Sequence, residues 1–227
     1  MKKAGNALRT LIIIILLCII AFSGYKIYTI IMEYRAVDKA NEEMREEYVY
    51  VDEDGWPEVD FGKLISVNSD VVGWLYIPDT NVSFPVVQGR DNFVYLTNDY
   101  RGRYSFAGAI FMDVHCSRDF SDIETMIYGH NMHNGSMFGR LKKFEDPGYL
   151  DAHKDVYVLL PTGETIKYSS AVGKYISVND DVYYLPKRGG DPETLVLSTC
   201  TDDSSDVERF VLICNYEKRF QGKETDN

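Results

Sequence analysis

From Val71 onward the sequence is a succession of short apolar runs, each ending at turn-forming residues. Gly73–Ile77 and Val156–Leu160 are typical, and glycine, proline, asparagine and aspartate fill the gaps between such runs. Short apolar runs bounded by turn formers indicate strands rather than helices. The 17 tyrosines and 11 phenylalanines agree with a β-rich domain, because aromatic side chains favour pleated, half-buried surfaces. The pattern predicts a mainly β fold, a closed or nearly closed barrel with few, short helices.

A long apolar segment near the amino terminus constrains where this domain lies. Leu11–Phe22 is uninterrupted apolar sequence, and looser apolar sequence continues through Met32. A stretch of about 20 such residues is long enough to cross a bilayer. Basic residues precede the segment and acidic residues follow it, which predicts a cytoplasmic amino terminus and an extracellular domain. A cleaved signal peptide ending near Ala21–Ser23 is the alternative. Because apolar residues continue past that point, we favour an uncleaved anchor.

The predicted organisation has five parts. Val51–Pro57 is predicted to be a linker. The charged segment Glu33–Tyr48 before it contains apolar residues at helical intervals, which predicts a helix. The parts are a cytoplasmic tail (1–6), a transmembrane anchor (7–32), a helical stalk and linker (33–60), the catalytic β domain (61–220) and a carboxyl-terminal tail (221–227).

Charge and cysteine content narrow the function classes. The formal net charge of -11 argues against a nucleic-acid partner, because a phosphate backbone would be repelled. The four cysteines have neither metal-ligand spacing nor a CxxC pair. We therefore predict no metal, no cofactor and no disulfide framework.

The stretch Leu195–Cys200 is the first candidate for chemistry. An apolar run that ends on serine, threonine and cysteine reads as a buried strand that delivers a thiol to its open end. Arg209 begins the next apolar stretch, which predicts a partner strand returning alongside. Because free cysteines are often simply buried, an inert Cys200 is the alternative. Cys214 lies in the middle of the second stretch and is expected to be packing only.

A second candidate is the sequence Tyr128-Gly129-His130-Asn131. It presents a histidine at the end of another predicted strand, where its near-neutral pKa suits proton transfer. The alternative is a histidine that only bonds its own loop. Thiol, imidazole and guanidinium together supply a nucleophile, a proton donor and an anion stabiliser, as acyl transfer through a thioester requires.

These motifs resemble the signature of the sortases, membrane-anchored cysteine transpeptidases of Gram-positive bacteria. The family's TLxTC motif corresponds to Val196–Cys200, with valine at the first position. Further stretches resemble class B members: Gly73–Pro78, Phe84–Gly89, Gly108–Asp113 and Gly135–Phe138. The resemblance covers about residues 61–220 and implies a closed barrel of about eight strands with short helices and an N-terminal helical extension. One departure is the short sequence before Leu195, where class B members usually carry a long helical insertion.

The resemblance also implies roles for individual residues. Cys200 would be the nucleophile, His130 the proton donor and acceptor, and Arg209 the group that holds the substrate carbonyl or oxyanion. Whether Cys200 and His130 rest as a neutral or an ionic pair stays open, as does a contribution from Asp202. The implied substrate-binding residues are Ser198, Leu96, Thr199 and Asn131.

The implied activity is cleavage of an NPQTN-like sorting signal after threonine and transfer of the protein to an amine. The expected partners are surface proteins bearing that signal, a peptidoglycan cross-bridge or lipid-linked precursor amine, and the membrane through the N-terminal helix. A pilin polymerase that uses a lysine amine is one alternative. A non-catalytic, peptide-binding surface barrel is another, from a different class.

Overall fold

The computed structural model of the chain describes residues 2–183, 191–200 and 207–223, without the side chains of residues 2–8 and of Cys200. It divides into two units, residues 1–42 and 43–227. The first unit belongs to α1 (Lys2–Tyr48), an uninterrupted helix. The candidate membrane span, Arg9–Tyr48, has a mean hydropathy of 2.4 in its most apolar window, none of it buried. By length and composition this helix could cross a membrane.

Eight strands of the second unit form a closed barrel. Their spatial order is β10-β8-β7-β3-β4-β5-β6-β9, and β9 pairs with β10 to close the circle. Their bounds are β3 (Val71–Tyr76), β4 (Ser83–Val87), β5 (Ile110–Met112), β6 (Glu124–Gly129), β7 (Asp155–Leu159), β8 (Glu164–Ser177), β9 (Thr194–Cys200) and β10 (Glu208–Gln221). The predicted mainly β, closed barrel of about eight strands is therefore confirmed.

Large side chains from the strands and from the segments between them form the buried core of this unit. Large, fully buried members include Trp74, Tyr168, Phe120, Phe138, Phe144 and Phe210. Cys214 is 0% exposed in β10, and burial raises the pKa of its thiol. A buried, protonated thiol is a poor nucleophile, so the expectation that Cys214 is packing is confirmed.

Several connections between the strands contain short helices. The α-helices are α2 (Phe61–Val67) and α3 (Pro147–Ala152), and 3-10 turns cover Val94–Leu96, Leu141–Glu145 and Asp181–Tyr183. The sequence predicts a helical turn over Asn92–Thr97 and short helices over Leu141–Phe144 and Phe61–Asn68, and a helical element is present at each place. α3 was not anticipated, although Asp146 caps it and proline occupies its first position.

Three local predictions were wrong. The predicted linker Val51–Pro57 is the turn and flanks of a hairpin, β1 (Val49–Val51) with β2 (Pro57–Val59), because the Asp52 carboxylate accepts bonds from the Asp54 and Trp56 amides. The sequence predicts two strands, Thr165–Ser169 and Ala171–Ile176, but they are one continuous strand, β8, in which Ser170 is buried and its amide donates to the Lys154 carbonyl oxygen. The sequence predicts a strand over Val182–Leu185, but Val182 and Tyr183 belong to a 3-10 turn in which the Val182 amide donates to the Asp180 carboxylate, and residues 184 and 185 lie outside the described residues.

Burial of tyrosines predicts a loss of stability in alkali. Burial raises the pKa of Tyr95 to about 12, and it also raises the pKa values of Tyr100, Tyr128 and Tyr168. The folded chain therefore keeps these phenols protonated where the unfolded chain ionises, from about pH 10. We expect the free energy of unfolding to be fully present below about pH 10 and to fall between about pH 10 and 12. Denaturant unfolding at a series of pH values, beside the tyrosinate absorbance of the folded chain, measures this.

The variant Tyr168→Phe tests whether a buried tyrosine causes this loss of stability at high pH. Tyr168 is 1% exposed in the barrel, so its removal should flatten the pH dependence. Titration of all tyrosines near pH 10, with no change in unfolding midpoint, would contradict the prediction.

Candidate active site

Three strands bring the predicted catalytic residues to one end of the barrel. β6 and β9 run parallel, with Gly129 opposite Thr199, so the next residues along the two strands are His130 and Cys200. β10 runs antiparallel to β9 and places the backbone of Arg209 opposite that of Cys200. Neighbouring strands lie about 4.8 Å apart. Residues separated by up to 79 positions in sequence therefore become neighbours at the level of the backbone.

Gly129 makes this arrangement sterically feasible. A Cβ at this position would lie 2.5 Å from Ile110 Cδ1 and 2.7 Å from the Phe138 ring. The close packing of these side chains on β6 leaves no room for a larger residue. Only glycine therefore fits at the position before His130, where β6 ends.

A cavity of about 240 Å³ opens at this barrel end. Five of the seven predicted site residues line it: Leu96, His130, Ser198, Thr199 and Arg209. The described lining also includes Asn92, Phe111, Tyr128, Gly129 and Tyr183. Asn131 is outside this set and instead forms a backbone bridge with Met137. The side chain of Cys200 and all of Asp202 lie outside the described residues.

A backbone carbonyl orients the histidine. Nε2 of His130 lies 2.6 Å from the carbonyl oxygen of Leu96. Because a carbonyl oxygen only accepts hydrogen bonds, Nε2 is the donor and carries a proton. Nδ1 is then the ring nitrogen through which His130 can exchange a proton with a substrate. Leu96, expected from the sequence as an apolar wall, therefore also acts through its main chain.

Arg209 supplies the positive charge of the cavity. It is half-buried at the start of β10, and its Nη1 donates to the carbonyl oxygen of Glu208 at 2.8 Å. A guanidinium remains protonated at any pH at which the protein is folded, and its planar fork donates in several directions. It is suited to hold a carbonyl oxygen or an oxyanion in the cavity.

Two residues of β9 that carry hydroxyl groups, Ser198 and Thr199, are also in the cavity lining. Ser198 is 2% exposed and shares a 2.7 Å hydrogen bond with the Tyr183 hydroxyl. Thr199 is equally buried, and its hydroxyl has no hydrogen-bond partner among the described residues. A buried hydroxyl without a partner costs free energy.

A second polar group stands behind the cavity, centred on Asp113. Its carboxylate accepts from the Tyr128 hydroxyl at 3.0 Å and from the Asn92 amide at 2.7 Å. Burial, followed by the charge of Asp113, raises the pKa of Tyr128. Tyr128 is therefore a neutral hydrogen-bonding group at the cavity wall and not an acid–base residue.

Sequence reasoning missed three lining residues: Asn92, Phe111 and Tyr183. Asn92 and Tyr183 lie in loops far from the catalytic motifs, and no local pattern marks a loop residue as facing a cavity. Phe111 was assigned to a strand, but its inward direction depends on the pairing of β5 with β6. Only the closed barrel brings them together.

The family model for the sortase domain matches residues 75–217 of this chain. The chain belongs to the sortase family. The sortase B of Listeria monocytogenes is 32% identical over 183 residues, which cover 76% of this chain and 70% of the relative. The sortase B of Staphylococcus aureus is 27% identical, covering 73% of this chain and 65% of the relative.

Solved structures agree. Sortase B of Bacillus anthracis superposes with a TM-score of 0.65 at 26% identity, covering 83% of this chain and 99% of the other. A class B sortase of Streptococcus pyogenes involved in pilus biogenesis gives 0.62 at 26% identity, covering 70% and 98%. The chain is thus a class B sortase, a cysteine transpeptidase of cell-wall sorting. Sortases act at the cell surface on proteins that carry sorting signals. The alternative of a non-catalytic, peptide-binding barrel is therefore rejected.

The backbone of this chain requires a glycine at position 108, which gives a prediction for the site. Its φ is +58°, and a Cβ there would lie 2.8 Å from Leu96 O and 2.9 Å from His130 Cδ2. We expect Gly108→Ala to destabilise the chain by about 1–2 kcal/mol, because an L-residue is strained at this φ. It should also lower kcat more than about tenfold by displacing His130. Peptide cleavage kinetics and thermal unfolding measure both effects.

Gly102 is the matched control. It has a φ of +77°, and a Cβ there would meet nothing within 4 Å. Gly102→Ala should therefore lose comparable stability but keep kcat. Equal kcat values for the two variants would show that the crowding at Gly108 does not reach the histidine.

Proposed function

We propose that Cys200, His130 and Arg209 are the nucleophile, the proton carrier and the oxyanion-binding group of this sortase. The supporting observation is the register of β6, β9 and β10, which brings the three residues to one edge of the barrel. The cavity at that edge is lined by His130, Arg209 and three of the four implied substrate-binding residues. Cationic neighbours favour a thiolate, which is the competent nucleophile.

The reaction proceeds in two balanced steps. In the first, the Cys200 sulfur bonds to the threonine carbonyl carbon of the sorting signal, and the bond from that carbon to the next nitrogen breaks. His130 gives the departing amine its proton, and the signal is left as a thioester. In the second, an acceptor amine bonds to the same carbon, His130 takes its proton, and the Cys200 thiolate leaves. In both steps Arg209 donates hydrogen bonds to the oxyanion.

The proposed substrate is an NPQTN-like signal at the carboxyl end of a surface protein, and the proposed acceptor is an amine of the peptidoglycan cross-bridge or its lipid-linked precursor. Ser198, Thr199 and Leu96 would contact the signal, since all three line the cavity. We retain Asn131 as a substrate-binding residue only for a signal long enough to extend beyond this cavity.

A panel of sorting-signal peptides with mass identification of the products tests this. The full-length chain in detergent micelles is incubated with each peptide and an excess of a cross-bridge amine. We expect cleavage after threonine and one product that joins the signal to the amine. Cleavage at another bond, or hydrolysis with no transfer to any amine, would contradict the proposed function.

A pilin polymerase is the second candidate. It is favoured by the similarity to the Streptococcus pyogenes enzyme of pilus biogenesis and by the short connection, residues 178–193, between β8 and β9. A peptide bearing a pilin-type lysine, added in competition with the cross-bridge amine, separates the two. Preferential transfer to the lysine would identify the polymerase.

For the membrane arrangement, we propose the five parts predicted from the sequence. Residues 7–32 would cross the membrane with 1–6 inside, 33–60 would join the span to the barrel with the β1–β2 hairpin in place of the predicted linker, 61–220 would form the catalytic domain and 221–227 the tail. The apolar helix Arg9–Tyr48 supports this. Protease added to intact cells should digest the catalytic domain, and its protection would contradict an extracellular location.

A further inference from the structure

His130 is held by a main-chain atom, so its orientation depends on what holds that atom. The acceptor, the Leu96 carbonyl oxygen, ends the 3-10 turn Val94–Leu96. Within the turn, the Leu96 amide donates to the Phe93 carbonyl at 3.1 Å. One short turn in a connection between strands carries little rigidity of its own, because runs of 3-10 helix have poor hydrogen-bond geometry.

Tyr95, in the centre of this turn, anchors it to the barrel. Its side chain is 3% exposed, and its carbonyl oxygen accepts from the Ala109 amide at 3.0 Å. Its hydroxyl donates to Asp70 Oδ2 at 2.8 Å and accepts from Asn68 Nδ2 at 2.7 Å. Both the main chain and the side chain next to Leu96 are therefore fixed.

Asn68 is the hub of this anchor. It caps the carboxyl end of α2, and its side-chain oxygen accepts from the Asp70 amide at 3.0 Å. Its two amide hydrogens are directed to Tyr95 Oη and to the Tyr100 carbonyl oxygen, each at 2.7 Å. A side chain whose donors are both used by two points of one segment holds that segment in a single position.

A weaker contact holds the same segment from outside. Arg101 Nη2 lies 2.7 Å from Glu47 Oε2 in the last turn of α1, with side chains 29% and 35% exposed. Ion pairs this exposed contribute about 0–1 kcal/mol. The two half-buried hydrogen bonds of Asn68, to Tyr95 and Tyr100, should therefore determine the position of the turn more than this ion pair does.

We propose that Tyr95 and Asn68 are positioning residues for His130: the bond between them fixes the Leu96 carbonyl, and that carbonyl holds the ring with Nε2 protonated and Nδ1 toward the cavity. This inference rests on the proposed role of His130 in the sortase reaction. Neither residue is in the described cavity lining, so both act on the site only through the turn that carries Leu96.

The test compares Tyr95→Phe with Glu47→Gln in the full-length chain. Tyr95→Phe keeps the ring and removes only the hydroxyl, and Asn68→Ala removes the other partner. We expect each to lower kcat for sorting-signal peptide cleavage about tenfold to a hundredfold, with a smaller change in KM that reflects the Leu96 side chain at the cavity. Glu47→Gln should leave both constants within about twofold of the wild type.

A readout independent of activity is the NMR signal of the His130 ring in histidine-labelled protein, assigned with His130→Gln. In the wild type we expect an Nε2-protonated ring whose proton exchanges slowly with water. In Tyr95→Phe and Asn68→Ala, that exchange should accelerate at a temperature where thermal unfolding shows both variants folded.

The outcomes are distinct. A wild-type kcat and ring signal in both variants would overturn the inference. Loss of activity with an unchanged ring signal would also overturn it, since the effect would not pass through His130. If the wild type cleaves no peptide, the proposed function fails, and the ring signals still decide whether Tyr95 and Asn68 position the histidine.

Discussion

Cys200→Ala is expected to reduce sorting-signal cleavage and transfer to background. The variant has no sulfur to form the thioester, and the loss of a covalent nucleophile in a catalytic triad costs on the order of 10⁶-fold in kcat. We expect at least about a 10⁴-fold loss, limited by assay sensitivity. Hydrolysis of a quenched peptide by the full-length chain gives the rate, and intact-protein mass spectrometry detects the acyl-enzyme in the wild type alone.

Two other cysteines provide the control. Cys116 and Cys214 are 4% and 0% exposed in the barrel domain, away from the cavity lining. Cys116→Ala and Cys214→Ala should lose some stability but retain cleavage at temperatures where they are folded. Equal signals from Cys200→Ala and the wild type, or inactivation by either control alone, would show that the nucleophile has been misassigned.

His130→Ala is expected to have the second-largest effect. Without a proton donor the amine must leave the tetrahedral intermediate as an anion, so both formation and aminolysis of the thioester slow down. General acid–base catalysis typically contributes about 10²–10⁴-fold, and we expect a kcat loss in that range. Burst kinetics with and without the acceptor amine separate the two steps, and both should be slowed.

His133 is the matched control, three residues away in the same loop but exposed to solvent and absent from the described cavity lining. His133→Ala should keep most of the turnover. The reverse order of activities, with His133→Ala dead and His130→Ala active, would show that the wrong histidine had been chosen. Because both variants change the same loop, general loop damage would lower both equally.

Local patterns were sufficient for the main elements of the fold. Short apolar runs between turn formers identify the strands because each strand needs only its own residues to match the period of a pleated surface. The hairpin of β1 and β2 was missed for the opposite reason. Its turn depends on Asp52 accepting two main-chain bonds, and the acidic sequence around it has the composition of a linker.

The candidate site also contains residues that local sequence identifies and residues that it does not. Cys200, His130 and Arg209 could be proposed from the sequence because each ends or begins a recognisable strand. Asn92 and Tyr183 could not, since a residue in a loop shows no local sign of which cavity it faces. The short sequence Lys187–Glu193 before Leu195 could be recognised from its length, whereas the hydrogen bond between Tyr183 and Ser198 could not be predicted.

The sequence by itself determined the apolar segment, the strand content and the residue types for thioester chemistry, because these depend on neighbours along the chain. Tertiary structure alone decided which residues meet. The parallel pairing of β6 with β9 brings His130 level with Cys200, and closure with β10 adds Arg209. The Leu96 carbonyl holds the histidine through an atom that every residue possesses, so no sequence pattern could mark it.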